Sequence, residues 1–319
     1  MKERFALAAL FFSATTVLVF AQAPPVTHNT WSSGAPLPTA VWAPAVAALK
    51  GQIYVVGGFN SSNSAIAETQ IYNPAANSWS TGVSLPTATE QAFAAVVKNI
   101  LYVFGGSTNQ CATVTNAVWA YNPKTKTWSS KSAMPTARCD MGIAVEKNII
   151  YVIGGYSPSG GGTRLSTVES YNPATDTWTE EAPLLVGKSE PSVGLVGTTI
   201  LATDGYTASG DTGDNESYNA ATNSWSSLSP DPTPRDWPCA GAIGTQLYAA
   251  GGNNPAGGGS AMSLTESFKM SKNTWRTLAS VPQATMAMGS AVYKGRLYCF
   301  GGTSSYQGTV LNNVQIYQP

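Results

Sequence analysis

The sequence predicts an all-β fold in which six four-stranded blades close into a propeller ring. Two spacings and one complementarity carry this. Trp31, Trp79, Trp128, Trp178, Trp225 and Trp275 are each followed 26 residues later by Gly57-Gly58, Gly105-Gly106, Gly154-Gly155, Asp204-Gly205, Gly251-Gly252 and Gly301-Gly302. An aromatic mark, Tyr72, Tyr121, Tyr171, Tyr218 and Phe268, stands seven residues before each tryptophan from the second onward. A period of 47 to 50 residues with strand-like content is the signature of propeller blades. The ends are incomplete in complementary ways, since Trp31 lacks a preceding aromatic mark and Tyr317 is followed only by Gln318 and Pro319. Joined, they make one repeat, so the strand around Trp31 is expected to complete the last blade and leave no open sheet edge.

Taken in chain order, residues 1–21 read as a secretory signal, 22–28 as a short linker and 29–319 as the propeller. The leader has Lys2 and Arg4, an apolar run from Phe5 to Phe20, then Ala21, and its apolar run is short for a membrane span. Within each blade, strand a is a run of small and branched residues such as FAAVV at 93–97, because six inner strands crowd the axis and larger side chains would overpack it. Strand b runs into the glycine pair, as in IYVVGG and LYVFGG, strand c ends at the aromatic mark, and strand d carries the tryptophan. Blade 4 departs from the pattern, with ILATDG at 200–205 lacking the tyrosine and the first glycine; drift in one blade is the preferred account of Asp204.

The apolar run into Gly-Gly, the tyrosine and the tryptophan together resemble the kelch repeat, over about residues 29–319. That resemblance implies a propeller whose b–c loops and d–a connections open on one face around the channel mouth. Many kelch propellers are interaction scaffolds. Others resemble the exported six-bladed sialic acid mutarotases of bacteria, or copper enzymes of the galactose-oxidase type.

Seventeen basic and 17 acidic residues, with charged residues only 11% of the chain, leave no electrostatic footprint for nucleic acid. Loss of Lys2, Glu3 and Arg4 with the leader leaves 15 basic against 16 acidic residues, a net charge of about −1. The mature chain is expected to be a secreted or periplasmic monomer with no membrane span. Export permits disulfides. Cys111, in the b–c loop of blade 2, and Cys139, at the entry to strand a of blade 3, fall on one face and are the preferred bridge; Cys239 and Cys299 replace small or apolar residues and are expected to be buried free thiols.

His28 is the single histidine, which removes Ser-His-Asp and Cys-His nucleophilic catalysis and histidine-based zinc or copper sites. No metal and no cofactor is expected, although calcium held by loop oxygens would leave no motif. Departures from the repeat point instead to the loop face. The distance from the first glycine position to the next aromatic mark varies between 14 and 17, which confines insertions to the b–c loops, the richest being 156–167 and 253–263. Aligned on the tryptophans, position +10 holds Arg138, Lys188 and Arg235 in three successive blades. Positions +11 and +12 hold Trp42, Glu90 with Gln91, Cys139 with Asp140, Glu190, and Asp236 with Trp237. A mixed acidic, basic and aromatic rim of this kind suits a polar ligand. Gln70, Glu169, Glu216, Glu266 and Gln315, two residues before the aromatic mark, recur too regularly for one active site and are expected to bond backbone within their blades; Trp119 replaces them in blade 2 and is expected to pack.

The expectation is therefore an exported binding module for a protein or glycan ligand, with a carbohydrate-active enzyme using the mouth carboxylates and arginines as the alternative. The binding module is favoured over the enzyme. Convergence of two carboxylates in one pocket is what would raise the second reading.

Overall fold

The computed structural model describes residues 28–159, 162–254 and 259–319. The expected leader, and most of the linker that follows it, lie outside the described residues. The propeller has six antiparallel four-stranded sheets, each ordered a-b-c-d from the axis outward. Blade 1 runs Ala45–Leu49, Gln52–Val56, Thr69–Asn73 and Ser78–Thr81. Blade 6 takes strands a to c from Gly289–Tyr293, Arg296–Phe300 and Val314–Gln318, and its d strand is Thr30–Ser33. Trp31 sits opposite Tyr317 in that register, so the ring closes as the incomplete ends predicted. Among the described residues no helix is long and apolar enough to cross a membrane.

Each mark of the repeat makes one recurring contact. All six tryptophans donate their indole N–H to a carbonyl of the preceding blade, from Trp31 on Ala279 at 2.8 Å to Trp128 on Val83 at 3.0 Å. The acceptor is always four residues past the previous tryptophan, so the period of the sequence is the distance between two such clasps. Within the blade the tryptophan ring packs on the aromatic mark, as for Tyr72 and Trp79 with centroids 5.0 Å apart. The apolar faces of adjacent blades fill the space between, with Val103 and Tyr121 of blade 2 packed against Tyr54 and Val56 of blade 1.

The glycine pair is a steric requirement. Gly57 has φ +66°, and a Cβ there would overlap the carbonyl oxygen of Thr89, the +10 residue of the next connection. Asp204 accepts the same left-handed conformation, φ 61°, as a residue that visits this region more readily than most. At the axis, a Cβ on Gly142 would strike Val193 of the next blade, which explains the small residues of the inner strands.

The cysteines correct one expectation. Cys111 and Cys139 are joined, with Cα atoms 6.1 Å apart. Cys239 and Cys299, expected as free thiols, are joined as well, with Cα atoms 5.8 Å apart. Cys239 lies on strand a of blade 5 and Cys299 on strand b of blade 6, and neighbouring blades press these strands together. Alignment of either position with its sister blades shows an apolar environment, whereas the pairing arises between blades 60 residues apart.

Candidate functional site

The three residues at +10 to +12 after each tryptophan go to three different places. The +10 side chains turn inward. Arg138, Lys188 and Arg235 are each 0% exposed, and their charges are met between the layers: Arg138 by Glu169 at 2.7 Å, Lys188 by Glu216 at 2.9 Å, and Arg235 by Glu266 and, at 3.5 Å, Asp231. Arg138 also donates to the Gly154 and Thr167 carbonyls. The cations expected on the rim are thus interior struts, each already paired. The chain carries an internal signal for this. A cation at +10 occurs only in blades whose strand c has glutamate, while Val41 and Thr285 accompany Gln70 and Gln315, which bond backbone of the connection entering their blades at Thr39 and Gln283. Thr89 accompanies Trp119, which is half-buried against the core between blades 1 and 2.

The +11 residues pair with the residue following each glycine pair. Glu90 bridges to Ser107, Cys139 to Tyr156, Ser189 to Tyr206 and Trp42 to Phe59. These short ladders hold the d–a connections and b–c loops on one face.

The +12 residues form the mouth. Ala43, Gln91, Asp140, Glu190, Trp237 and Ala287 all have left-handed backbone, φ 47–55°, and five N–H groups of this hoop bond the carbonyl of the neighbouring hoop residue. They are Ala43 to Ala287, Gln91 to Ala43, Asp140 to Gln91, Glu190 to Asp140 and Ala287 to Trp237, at 2.7 to 3.1 Å. The hoop is polar on one side and small on the other. Gln91 Nε2 donates to Asp140 Oδ2 at 2.9 Å, and Trp237 Nε1 to Asp140 Oδ1 at 3.4 Å. Asp140, Glu190, Trp237 and Ala287 look into a channel cavity of about 170 Å³ walled by inner-strand residues such as Val46, Ile143 and Val292. The Cys111–Cys139 bridge backs this side, with Cys111 Sγ 3.2 Å from Gln91 Oε1.

Carboxyls crowd the same mouth. Burial pushes Glu90 up to about 7, although its Oε1 accepts the Gln110 backbone N–H. Burial, then the charge of Glu90, raises Asp140 to about 7, and burial with the charge of Asp140 holds Glu190 well above the usual carboxylate range. Asp236 rises to about 8 through burial and the neighbouring Asp211. The charges of Asp140 and Glu190 act on each other at close range, so each disfavours ionisation of its neighbour. The cation beside them is Arg164, whose charge favours the ionised form of both and whose guanidinium lies 5.2 Å from the centre of the Tyr156 ring and 4.6 Å from that of Tyr206.

On the small side of the hoop lies a cleft of about 620 Å³ walled by Trp42, Phe59, Trp237 and Tyr306, with Asn63, Asn109 and Gln110 on its polar side. Trp237 and Tyr306 are nearly parallel, 4° apart with centroids 6.2 Å apart, and Trp42 stands edge-on to Trp237 at 6.2 Å and to Phe59 at 5.4 Å. Tyr306 is 58% exposed. Of the expected rim, then, Trp42, Glu90, Gln91, Asp140, Glu190, Asp236 and Trp237 come together, and Arg138, Lys188 and Arg235 do not join them. Phe59, Tyr156, Tyr206, Arg164, Asp211 and Tyr306 were missed. The first three directly follow a glycine pair and were readable by extending the alignment one residue; the others stand in b–c loops that share no register.

Six kelch-type blades with an invariant clasp and a variable loop face define a kelch β-propeller. The chain belongs to the Attractin/LZTR1 beta-propeller family, whose model matches residues 53–314. No curated protein matches it. Among solved structures it is similar to one titled "Structure of YjhT", with TM-score 0.74 and 18% identity over 88% of this chain and 96% of that one. At that identity the likeness is one of fold.

Proposed function

We propose that this propeller is an exported carbohydrate-binding module whose ligand lies across the loop face, on the rings of Trp42, Phe59, Trp237 and Tyr306, with its hydroxyls turned to the Gln91–Asp140–Glu190 side of the hoop. The observation that carries this is that a cleft walled by four aromatic rings, with Asn63, Asn109 and Gln110 beside them, adjoins across Trp237 the cavity into which Asp140 and Glu190 face. A sugar ring needs both, because its C–H faces pack on aromatic rings while its hydroxyls require buried partners. Export is supported by the pairing of all four cysteines. The test is titration calorimetry of the mature chain against a panel of neutral oligosaccharides. Binding that weakens in both Trp237→Ala and Asp140→Asn supports the reading, and no binding across the panel, or binding indifferent to both variants, sinks it.

One observation favours a catalytic reading of the same opening. Asp140 and Glu190 face one cavity beside Arg164, with Asp140 raised to about 7 and Glu190 held well above the usual carboxylate range, chiefly by burial. An acid–base reaction on a bound sugar, such as exchange of anomers at a reducing end, fits that pair. Proton exchange spectroscopy of reducing sugars distinguishes it, since acceleration by the native chain and its loss in Asp140→Asn are required.

A further inference from the structure

We propose that Asp211, Asp236 and Asn253 form a calcium site at the edge of the mouth, tying the loops of blades 4 and 5 together behind Trp237. Asp211 ends the short Gly210–Asp211 arm of the blade 4 b–c loop, Asp236 lies in the connection between blades 4 and 5, and Asn253 opens the blade 5 b–c loop. The Oδ1 atoms of all three are buried with no hydrogen-bond partner, although Asp236 is only 4% exposed. The three residues are neighbours: Asp236 and Asp211 meet side chain to side chain, Asn253 Nδ2 donates to Asp236 Oδ2 at 3.4 Å, and the Asn253 N–H bonds the Asp236 carbonyl at 2.9 Å.

Buried oxygen acceptors left without donors are costly, and three in one corner call for a common partner. A proton shared by the two carboxyls satisfies two of the oxygens but leaves the amide oxygen of Asn253, which accepts only. A cation seated among the three loops would serve all of them. The donor set is oxygen throughout, carries up to two negative charges, and is delivered by irregular loops, which suits the flexible coordination of calcium, completed by water, and not the nitrogen and sulfur preference of zinc. The site adjoins the Asp140–Glu190 pair, whose charges act on Asp236 and feel it in turn, and it does not depend on any ligand of the aromatic cleft.

The test uses the mature chain after chelator treatment. Terbium binding is read through luminescence sensitised by the adjacent Trp237, calcium is used to displace it, and the melting temperature is recorded with and without calcium at about 1 mM, the range of extracellular sites. The expected result is one terbium per chain, displaced by calcium, and a calcium-dependent rise in melting temperature. Asp236→Asn, which offers Asp211 an amide donor in place of an acid, abolishes both effects, and Asn253→Ala weakens binding at least tenfold. Glu180→Gln, an exposed acid elsewhere, leaves them unchanged. Absence of sensitised luminescence together with an unmoved melting temperature overturns the site, as does binding that persists unaltered in both Asp236→Asn and Asn253→Ala.

Discussion

Positions ten and twelve residues after each repeat tryptophan are two apart in the chain and have opposite fates. At +10 the chain places Arg138, Lys188 and Arg235 in a dry layer between sheets, each bonded to a glutamate. At +12 it places Gln91, Asp140, Glu190 and Trp237 around the mouth, where Gln91 and Asp140 are themselves buried. The difference lies in the backbone. An extended chain sends alternate residues to one side, but the left-handed φ at +12 breaks the alternation and turns the second side chain into the mouth. Chemical similarity of neighbouring charged residues therefore says little about shared duty here: the cations are scaffold and the carboxyls beside them belong to the opening.

The largest effect that tests this division is that of pH on stability. Asp204 near 6, Asp231 and Glu266 near 7 in the scaffold, and Glu90 and Asp140 near 7 and Asp236 near 8 at the mouth, all sit above the carboxyl range of an unfolded chain, chiefly through burial. The folded chain then holds protons that the unfolded chain, with carboxyl pKa values near 4, has released. The associated stability is full below about pH 4 and is lost as pH rises through 6 to 8. At about 1.4 kcal/mol per pKa unit, a single group of this kind is worth a few kcal/mol. Urea unfolding at pH 5 and pH 8, in chelator, is expected to show the higher midpoint at pH 5, and Glu90→Gln is expected to shrink the gap. Equal midpoints would contradict the burial argument.

Next comes the loss of a strut. Arg138→Ala leaves Glu169 charged and unpaired in the interior, at a cost of about 3–5 kcal/mol, while glycan affinity measured below the melting transition stays unchanged. A variant of native stability that has lost affinity would move Arg138 back to the rim. The Cys239–Cys299 bridge is comparable, and replacing both residues with alanine costs roughly 4 kcal/mol on chain-entropy grounds, read from denaturation with the Cys111–Cys139 bridge intact. The smallest effect is confined to the opening. Trp237→Ala weakens glycan binding by about 2 kcal/mol, roughly 30-fold, and barely moves the melting temperature, because Ala43 and Ala287 already occupy equivalent left-handed positions.

Features repeated in every blade were legible because each answers to a contact made six times. The 26-residue interval reports the tryptophan clasp and the glycine pair, and the closure of Tyr317 on Trp31 followed from the same count. What one blade does alone was harder to read. The Cys239–Cys299 pairing joins strands a and b of different blades, a relation that aligning repeats on each other conceals. The placement of Arg138, Lys188 and Arg235 was encoded by their accompanying Glu169, Glu216 and Glu266, a covariation within the chain that reading each position separately passes over. Arg164, Asp211 and Tyr306 stand in loops of unequal length, where no register tells which way a side chain faces.

Because five of its links are main-chain bonds, the +12 hoop keeps its course whichever side chains it displays. The chain spells Ala, Gln, Asp, Glu, Trp, Ala around the opening, and two of those letters are blank. Each left-handed non-glycine residue carries a conformational cost of roughly 1–2 kcal/mol, which is borne whatever the letter. A frame of this kind is addressable: rewriting Ala43, which is less buried than Ala287, changes the surface the mouth presents while the ring around it keeps its shape.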